Sequence, residues 1–145
     1  MKPHLALLIT AIAVFWCNPA LARDRQTIVG PVTHIRDGDT IEVSGVPIRL
    51  NGLHAPEPYE AGGPEATVWM IEHTRGHVVT CHLNGEKNND RWIGICSNRD
   101  GDLAAQLIAA GLGRDCPRYS GGRYARLDRP QAVAAMPLPD YCIRR

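Results

Sequence analysis

The chain has none of the sequence signatures that announce the common enzyme classes. No GxSxG elbow, Walker phosphate loop or dinucleotide fingerprint occurs in its 145 residues, so nothing points to the hydrolases, nucleotidases or dehydrogenases those spacings report. There is no CxxC pair to nucleate a structural zinc site. Internal repeats are absent, and no linker is long enough to separate two domains, so the length allows one compact domain. Lysine is nearly missing, with two residues against fourteen arginines. That preference favours the planar guanidinium, which pairs phosphate bidentately, over the ammonium point charge. The longest apolar run, Leu5 to Trp16, is too short to read as a membrane span.

That run reads instead as a leader. Lys2 precedes it, and Ala20-Leu21-Ala22 fits the small-x-small cleavage rule. Residues 1–22 are therefore expected to be a signal peptide and 23–145 the mature, secreted or periplasmic protein; a retained anchor is the alternative. Cys17 falls in the removed segment, leaving four cysteines and 15 basic against 15 acidic residues. An even cysteine count in an exported chain implies two disulfides. Three connectivities are open. We favour Cys81–Cys96, tying neighbouring strands, and Cys116–Cys142, tying the tail to the loop after a helix. The charge is unevenly spread: residues 113–145 hold seven arginines against three aspartates. Such a tail suits a polyanion, or else a solvated, salt-bridged helix surface.

The stretch from Ile35 to Glu57 organises the rest. Asp37-Gly38-Asp39-Thr40 suits a tight turn. Ile41 and Val43, then Val46, Ile48 and Leu50, alternate with polar positions on either side of Ser44-Gly45, which predicts paired, half-buried strands. Arg49 is out of phase with the apolar set and faces away from it. Pro56 ends the following strand. Asp39, Arg49 and Glu57 thus lie within one short stretch, giving a carboxylate for a metal, a guanidinium for a phosphate and a carboxylate for a base.

Around that stretch, Thr27 to Ile35 predicts a first strand interrupted by a bulge or edge at Gly30-Pro31. Gly63-Pro64-Glu65 starts a helix laying Ala66, Trp69, Met70 and His73 on the core, closed by Gly76. His77 to Leu83 reads as a strand ending at an Asn84-Gly85 turn, with a further loop at Asn88-Asn89-Asp90, and Arg91 to Ser97 reads as the next strand. Asp102 caps a helix running through Gly111, with Leu103, Leu107, Ile108 and Leu112 as its buried stripe. Beyond Cys116 we expect a short helix capped by Ser120, broken helix, and an extended tail pinned by Cys142.

DGDT at 37–40, IRLNGLHAPE at 48–57 and DRWIGIC at 90–96 together resemble the staphylococcal-nuclease-like (thermonuclease) family. The resemblance spans roughly Val29 to Gly113, with 114–145 as a cysteine-pinned extension. It implies a mixed α+β fold, a five-stranded OB-type β-barrel with two to three packed helices. It also implies calcium-dependent hydrolysis of DNA or RNA phosphodiesters by a monomer. On the matching positions Arg49 and Arg91 are the phosphate clamps, Glu57 the general base that takes a proton from the attacking water, and Asp39 the metal carboxylate, with Ala55 offering its backbone carbonyl. Arg91 follows Asn89-Asp90, where the family more often has Tyr-Gly.

The chain departs from the pattern at His54, where the family has a second metal-binding aspartate. An imidazole cannot replace a carboxylate for calcium, which takes oxygen ligands. The expectations are weakened calcium binding, replacement by manganese or zinc, a protonated His54 standing in for the metal, or loss of turnover with the arginines kept for binding. Tyr59 and Trp92 are candidates to stack on a base. The competing reading is a non-catalytic module that binds nucleic acid or another polyanion, such as an acidic polysaccharide, in the periplasm.

Overall fold

The computed structural model describes residues 26–143. The leader expected at 1–22 and the last two arginines lie outside that range. The molecule is mixed α+β, with a mostly antiparallel six-stranded sheet among the described residues, in the order Val46–Leu50 (β3), Thr40–Val43 (β2), Thr27–Ile35 (β1), Val78–Asn88 (β5), Arg91–Asn98 (β6) and Gly101–Asp102 (β7).

Strand β1 (Thr27–Ile35) divides its hydrogen bonding between two neighbours. Its first half pairs with β5 (Val78–Asn88), from Thr27↔His82 to Pro31↔Val78, and its second half with β2 (Thr40–Val43). Pro31 stands at the changeover, where a missing N–H leaves no ladder bond unmade. The irregularity falls between Val32 and His34 rather than at Gly30-Pro31. Thr33 fills the gap there, donating to the Glu42 carbonyl (3.2 Å) and accepting from Gly45 N (3.0 Å). A two-residue turn joins β2 to β3 (Val46–Leu50), since Val43 pairs with Val46. Ser44 (φ 50°) and Gly45 (φ 79°) are both left-handed there, as the hairpin turn that matches strand twist requires. An additional parallel pairing joins β3 to β6 (Arg91–Asn98), with Arg49 opposite Ile93.

Strand β4 (Leu53–His54) pairs with β8 (Arg114–Asp115) in a separate two-stranded sheet. Helix α1 (Gly63–Thr74) buries Gly63, Ala66, Met70 and Thr74. Trp69 packs against the core as expected though only partly buried, and His73, also half-buried, stacks on it at 3.7 Å. The expected Asn84-Gly85 turn is a bulge inside β5. Four steps from Leu83 to Lys87 match two from Gly94 to Trp92 on β6, and the chain reverses only at Asn89-Asp90. Helix α2 (Leu103–Ala109) follows the short strand β7 (Gly101–Asp102) and ends before Gly111. Seven residues are too few for a helix stable by itself. Burial of Leu103, Leu107 and Ile108, worth roughly 2 kcal/mol each, holds it on the core. Those side chains pack with Ile41, Val43, Ile48, Leu50, Val79 and Leu83 in one cluster.

The extension is more helical than expected. It folds into α3 (Pro117–Ser120), a 3-10 turn at Ala125–Leu127, α4 (Pro130–Ala135) and α5 (Asp140–Ile143). Among the described residues there are five α-helices, where two or three were expected, because the prolines at 117 and 130 each open a new short helix. Ser120 closes α3 instead of starting a helix, and its Oγ accepts from Gly122 N at 2.8 Å. Cys142 sits in α5, not in an extended tail. Both favoured disulfides form: Cys81–Cys96 across a register pair of β5 and β6, and Cys116–Cys142 across the extension. Among the described residues no helix is long and apolar enough to cross a membrane.

Candidate functional site

The turn before β2 builds the site from the backbone outward. Asp37 Oδ1 accepts from Asp39 N at 2.9 Å, so the first carboxylate of DGDT shapes the turn. The second is left facing the hairpin partner strand. Thr40 pairs with Arg49 across the hairpin, which brings the Arg49 side chain against Asp39. Arg49 Nη2 lies 2.8 Å from Asp39 Oδ2, and Nη1 donates to the carbonyls of Leu50 (3.0 Å) and Leu53 (2.9 Å). Asp39 Oδ1 accepts from Thr40 Oγ1 at 3.1 Å, and Thr40 Oγ1 in turn accepts from Arg91 Nη1 at 3.1 Å. Arg91, Thr40, Asp39 and Arg49 therefore form one continuous hydrogen-bonded chain, assembled from β2, β3 and the start of β6.

Asp39 is 8% exposed. Burial pushes its carboxyl up to about 7, Arg49 pulls it down, and neighbouring Asp37 pushes it up again. Ala55 is buried and donates its N–H to Asp39 Oδ2 at 3.4 Å. Glu57 stands outside this chain, exposed just past Pro56, with its own N–H donating to Glu60 Oε2 at 2.9 Å. Its charge still reaches the site: the Tyr141 hydroxyl feels Arg49, Asp39 and Glu57 together.

His54 is half-buried, with Nδ1 3.3 Å from the Tyr141 hydroxyl. Burial, then Arg49, hold its pKa below the usual value against the pull of Glu60. That direction works against a protonated His54 standing in for a metal. Tyr59 is 85% exposed on the loop before α1. Trp92 is partly buried with Lys87 Nζ 4.4 Å from its ring centre.

Beside Arg49 lies a cavity of about 500 Å3, lined among others by Asn51, Lys87, Asn89, Tyr119 and Tyr141. Asp39, Glu57 and Arg91 do not line it; Arg49 connects the two. The two tyrosines escaped the sequence reading. The signal for them was adjacency to the cysteines of one disulfide, since Tyr119 follows Cys116 by three residues and Tyr141 precedes Cys142 by one.

The residues around Asp39 do not fit a calcium ion. A hard cation needs six to eight oxygens, whereas Asp39 Oδ2 is already held by Arg49 and Ala55 N, and Oδ1 by Thr40. His54 Nδ1 is engaged by Tyr141. Among the described residues no group of three or more His, Cys, Asp or Glu side chains is placed to hold a metal.

The basic extension is partly committed to structure. Arg114 pairs with Asp128 (3.3 Å) and donates to the Met136 carbonyl (3.0 Å), and Arg129 Nε donates to the Ala109 carbonyl at 2.7 Å.

No protein-family model matches the chain. The chain is 30% identical over 112 residues, 69% of its length, to the succinoglycan biosynthesis protein ExoI of Rhizobium meliloti (strain 1021). It spans 58% of that curated relative.

Proposed function

We propose that the chain is an extracytoplasmic phosphodiesterase of the staphylococcal-nuclease-like type that binds a single strand of DNA or RNA beside Arg49 and hydrolyses it. The observation that carries this reading is the chain Arg91–Thr40–Asp39–Arg49, which joins two guanidinium groups from separate strands at one place. Two such groups are what a phosphoryl group in transfer needs for its charge. Glu57, exposed three residues beyond β4, supplies a carboxylate to take a proton from water. The β3–β6 pairing supports an OB-type barrel of β1, β2, β3, β5 and β6, because it links strands that the sheet order places apart. Two disulfides support an oxidising compartment.

A second reading is favoured by one observation: Asp39 spends its charge on Arg49. A site closed in that way suits a module that binds a polyanion without turning it over. The relative named for succinoglycan biosynthesis makes an acidic polysaccharide the polymer to set against nucleic acid.

Denatured DNA incubated with calcium, with manganese and with chelator tests the two readings. Cleavage lost in Glu57→Gln, with binding kept, supports the hydrolase. Binding without turnover under every ion supports the module.

A further inference from the structure

The C-terminal extension ends on a buried anchor with an exposed aromatic next to it. Cys142 is fully buried and Cys116 is 1% exposed, while Tyr141 is 46% exposed. The disulfide therefore fixes α5, and consecutive helical positions, about 100° apart, turn the tyrosine sideways from that anchor. Tyr141 lines the cavity that Arg49 enters. Its hydroxyl meets His54 Nδ1 at 3.3 Å, and the two rings stand edge to face at 79° with centres 6.3 Å apart. We propose that Tyr141 is a substrate-positioning residue, presented by the Cys116–Cys142 disulfide to the strand that binds beside Arg49.

This rests on the nucleic-acid reading above and adds a contact from outside the segment that carries the resemblance. The ring is rigid, partly exposed and set against a cavity of mixed lining that holds Arg49 and Lys87, which suits stacking on a base. The hydroxyl carries a proton to donate, since burial raises its pKa. The hydroxyl lies 3.3 Å from His54 Nδ1, and a phosphoryl oxygen beside Arg49 would compete for its hydrogen bond. The disulfide closes the segment from 117 to 141, 26 residues apart, and so holds α5 against the site.

The test uses the mature protein and a fluorescein-labelled single strand of about eight nucleotides, read by anisotropy in chelator, with circular dichroism confirming that each variant is folded. Tyr141→Ala is expected to raise Kd about tenfold, the loss of one base stack, and Tyr141→Phe to fall between it and the parent. Cys116→Ser/Cys142→Ser is expected to match Tyr141→Ala, and adding Tyr141→Ala to it to change nothing further. Tyr141→Ala binding within about twofold of the parent, while Arg49→Ala loses the strand, overturns the assignment and leaves the nucleic-acid reading intact. If the parent itself does not bind, that reading falls and takes Tyr141 with it. Should the double cysteine variant not fold, the Tyr141→Ala and Tyr141→Phe pair decides.

Discussion

Arg49 and Asp39 meet across the β2–β3 hairpin with Nη2 2.8 Å from Oδ2, both side chains largely withdrawn from solvent. This contact sets the chemistry of the whole site. It occupies the carboxylate that a cation would need, and it half-neutralises the guanidinium that a phosphate would need. Thr40 then passes the same contact on to Arg91. Removing one partner of a buried pair costs about 3–5 kcal/mol, because the other charge is left without compensation.

Asp39 gives the protein a pH signature. Its folded carboxyl is raised to about 7, chiefly by burial, against about 3.9 for an unfolded aspartate. Between those values the folded state holds the extra proton, so this group's contribution is full below the lower value and is lost as pH rises through the upper one. His54 works the other way. Its folded pKa is lowered, so its contribution is present above its ordinary value and is lost on acidification. Urea midpoints measured across this range should show Asp39→Asn gaining on the parent by on the order of 3 kcal/mol as pH rises from about 4 to about 7.5. Parallel profiles for the two proteins would rule out the raised carboxyl.

Asp102 carries two loads at once. Oδ1 caps α2 by accepting from Ala104 N (2.9 Å) and Ala105 N (3.2 Å), while Oδ2 accepts from the buried Tyr124 hydroxyl at 2.8 Å. Asp102→Ala should cost about 2–4 kcal/mol, the sum of a lost cap and an unsatisfied buried hydroxyl. Tyr124→Phe should cost only about 1 kcal/mol. In the Phe background the cost of Asp102→Ala should shrink to that of the cap, which a denaturation double-mutant cycle reads directly.

The two disulfides should differ in effect. Cys81–Cys96 closes 15 residues between strands already paired in register, and Cys116–Cys142 closes 26 across short helices. Loop entropy alone gives about 3 kcal/mol for each, slightly more for the longer loop. Selective removal of Cys116–Cys142 should therefore release the extension first, seen as faster hydrogen exchange in α3 and α5, with β5 and β6 still protected. Equal loss of protection in both regions would contradict this.

Local chemistry explains which parts of this fold could be read from residues alone. The Ser44-Gly45 hairpin and the Asp102 cap were legible because the positive φ and the capping carboxylate belong to the residues themselves. Asn84-Gly85 carries as strong a turn signal, yet β5 continues, since pairing of Lys87 and Asn88 with β6 outweighs it and the bulge absorbs the surplus. At the site, the convergence of Asp39, Arg49 and Arg91 followed from strand positions. The Tyr141–His54 contact did not, because it depends on a disulfide closing 26 residues of broken helix.

The Asp39–Arg49 pair also makes a prediction about binding. With Asp39 charged, Arg49 offers a phosphate little net charge, and its Nη1 is already committed to two carbonyls. Asn at position 39 keeps an acceptor for the Arg49 side chain but removes the charge. Each further phosphate contact steepens the salt dependence of single-strand binding by about 0.7 in log–log slope. Above about pH 8, where Asp39 is charged, Asp39→Asn should therefore bind a single strand several-fold more tightly at low salt, with a slope steeper by about that amount. Arg49→Ala introduced into Asp39→Asn should abolish that gain, taking the slope to or below that of the parent. A slope that ignores Asp39→Asn would remove Arg49 from the phosphate-binding surface and leave it as a strut of the hairpin.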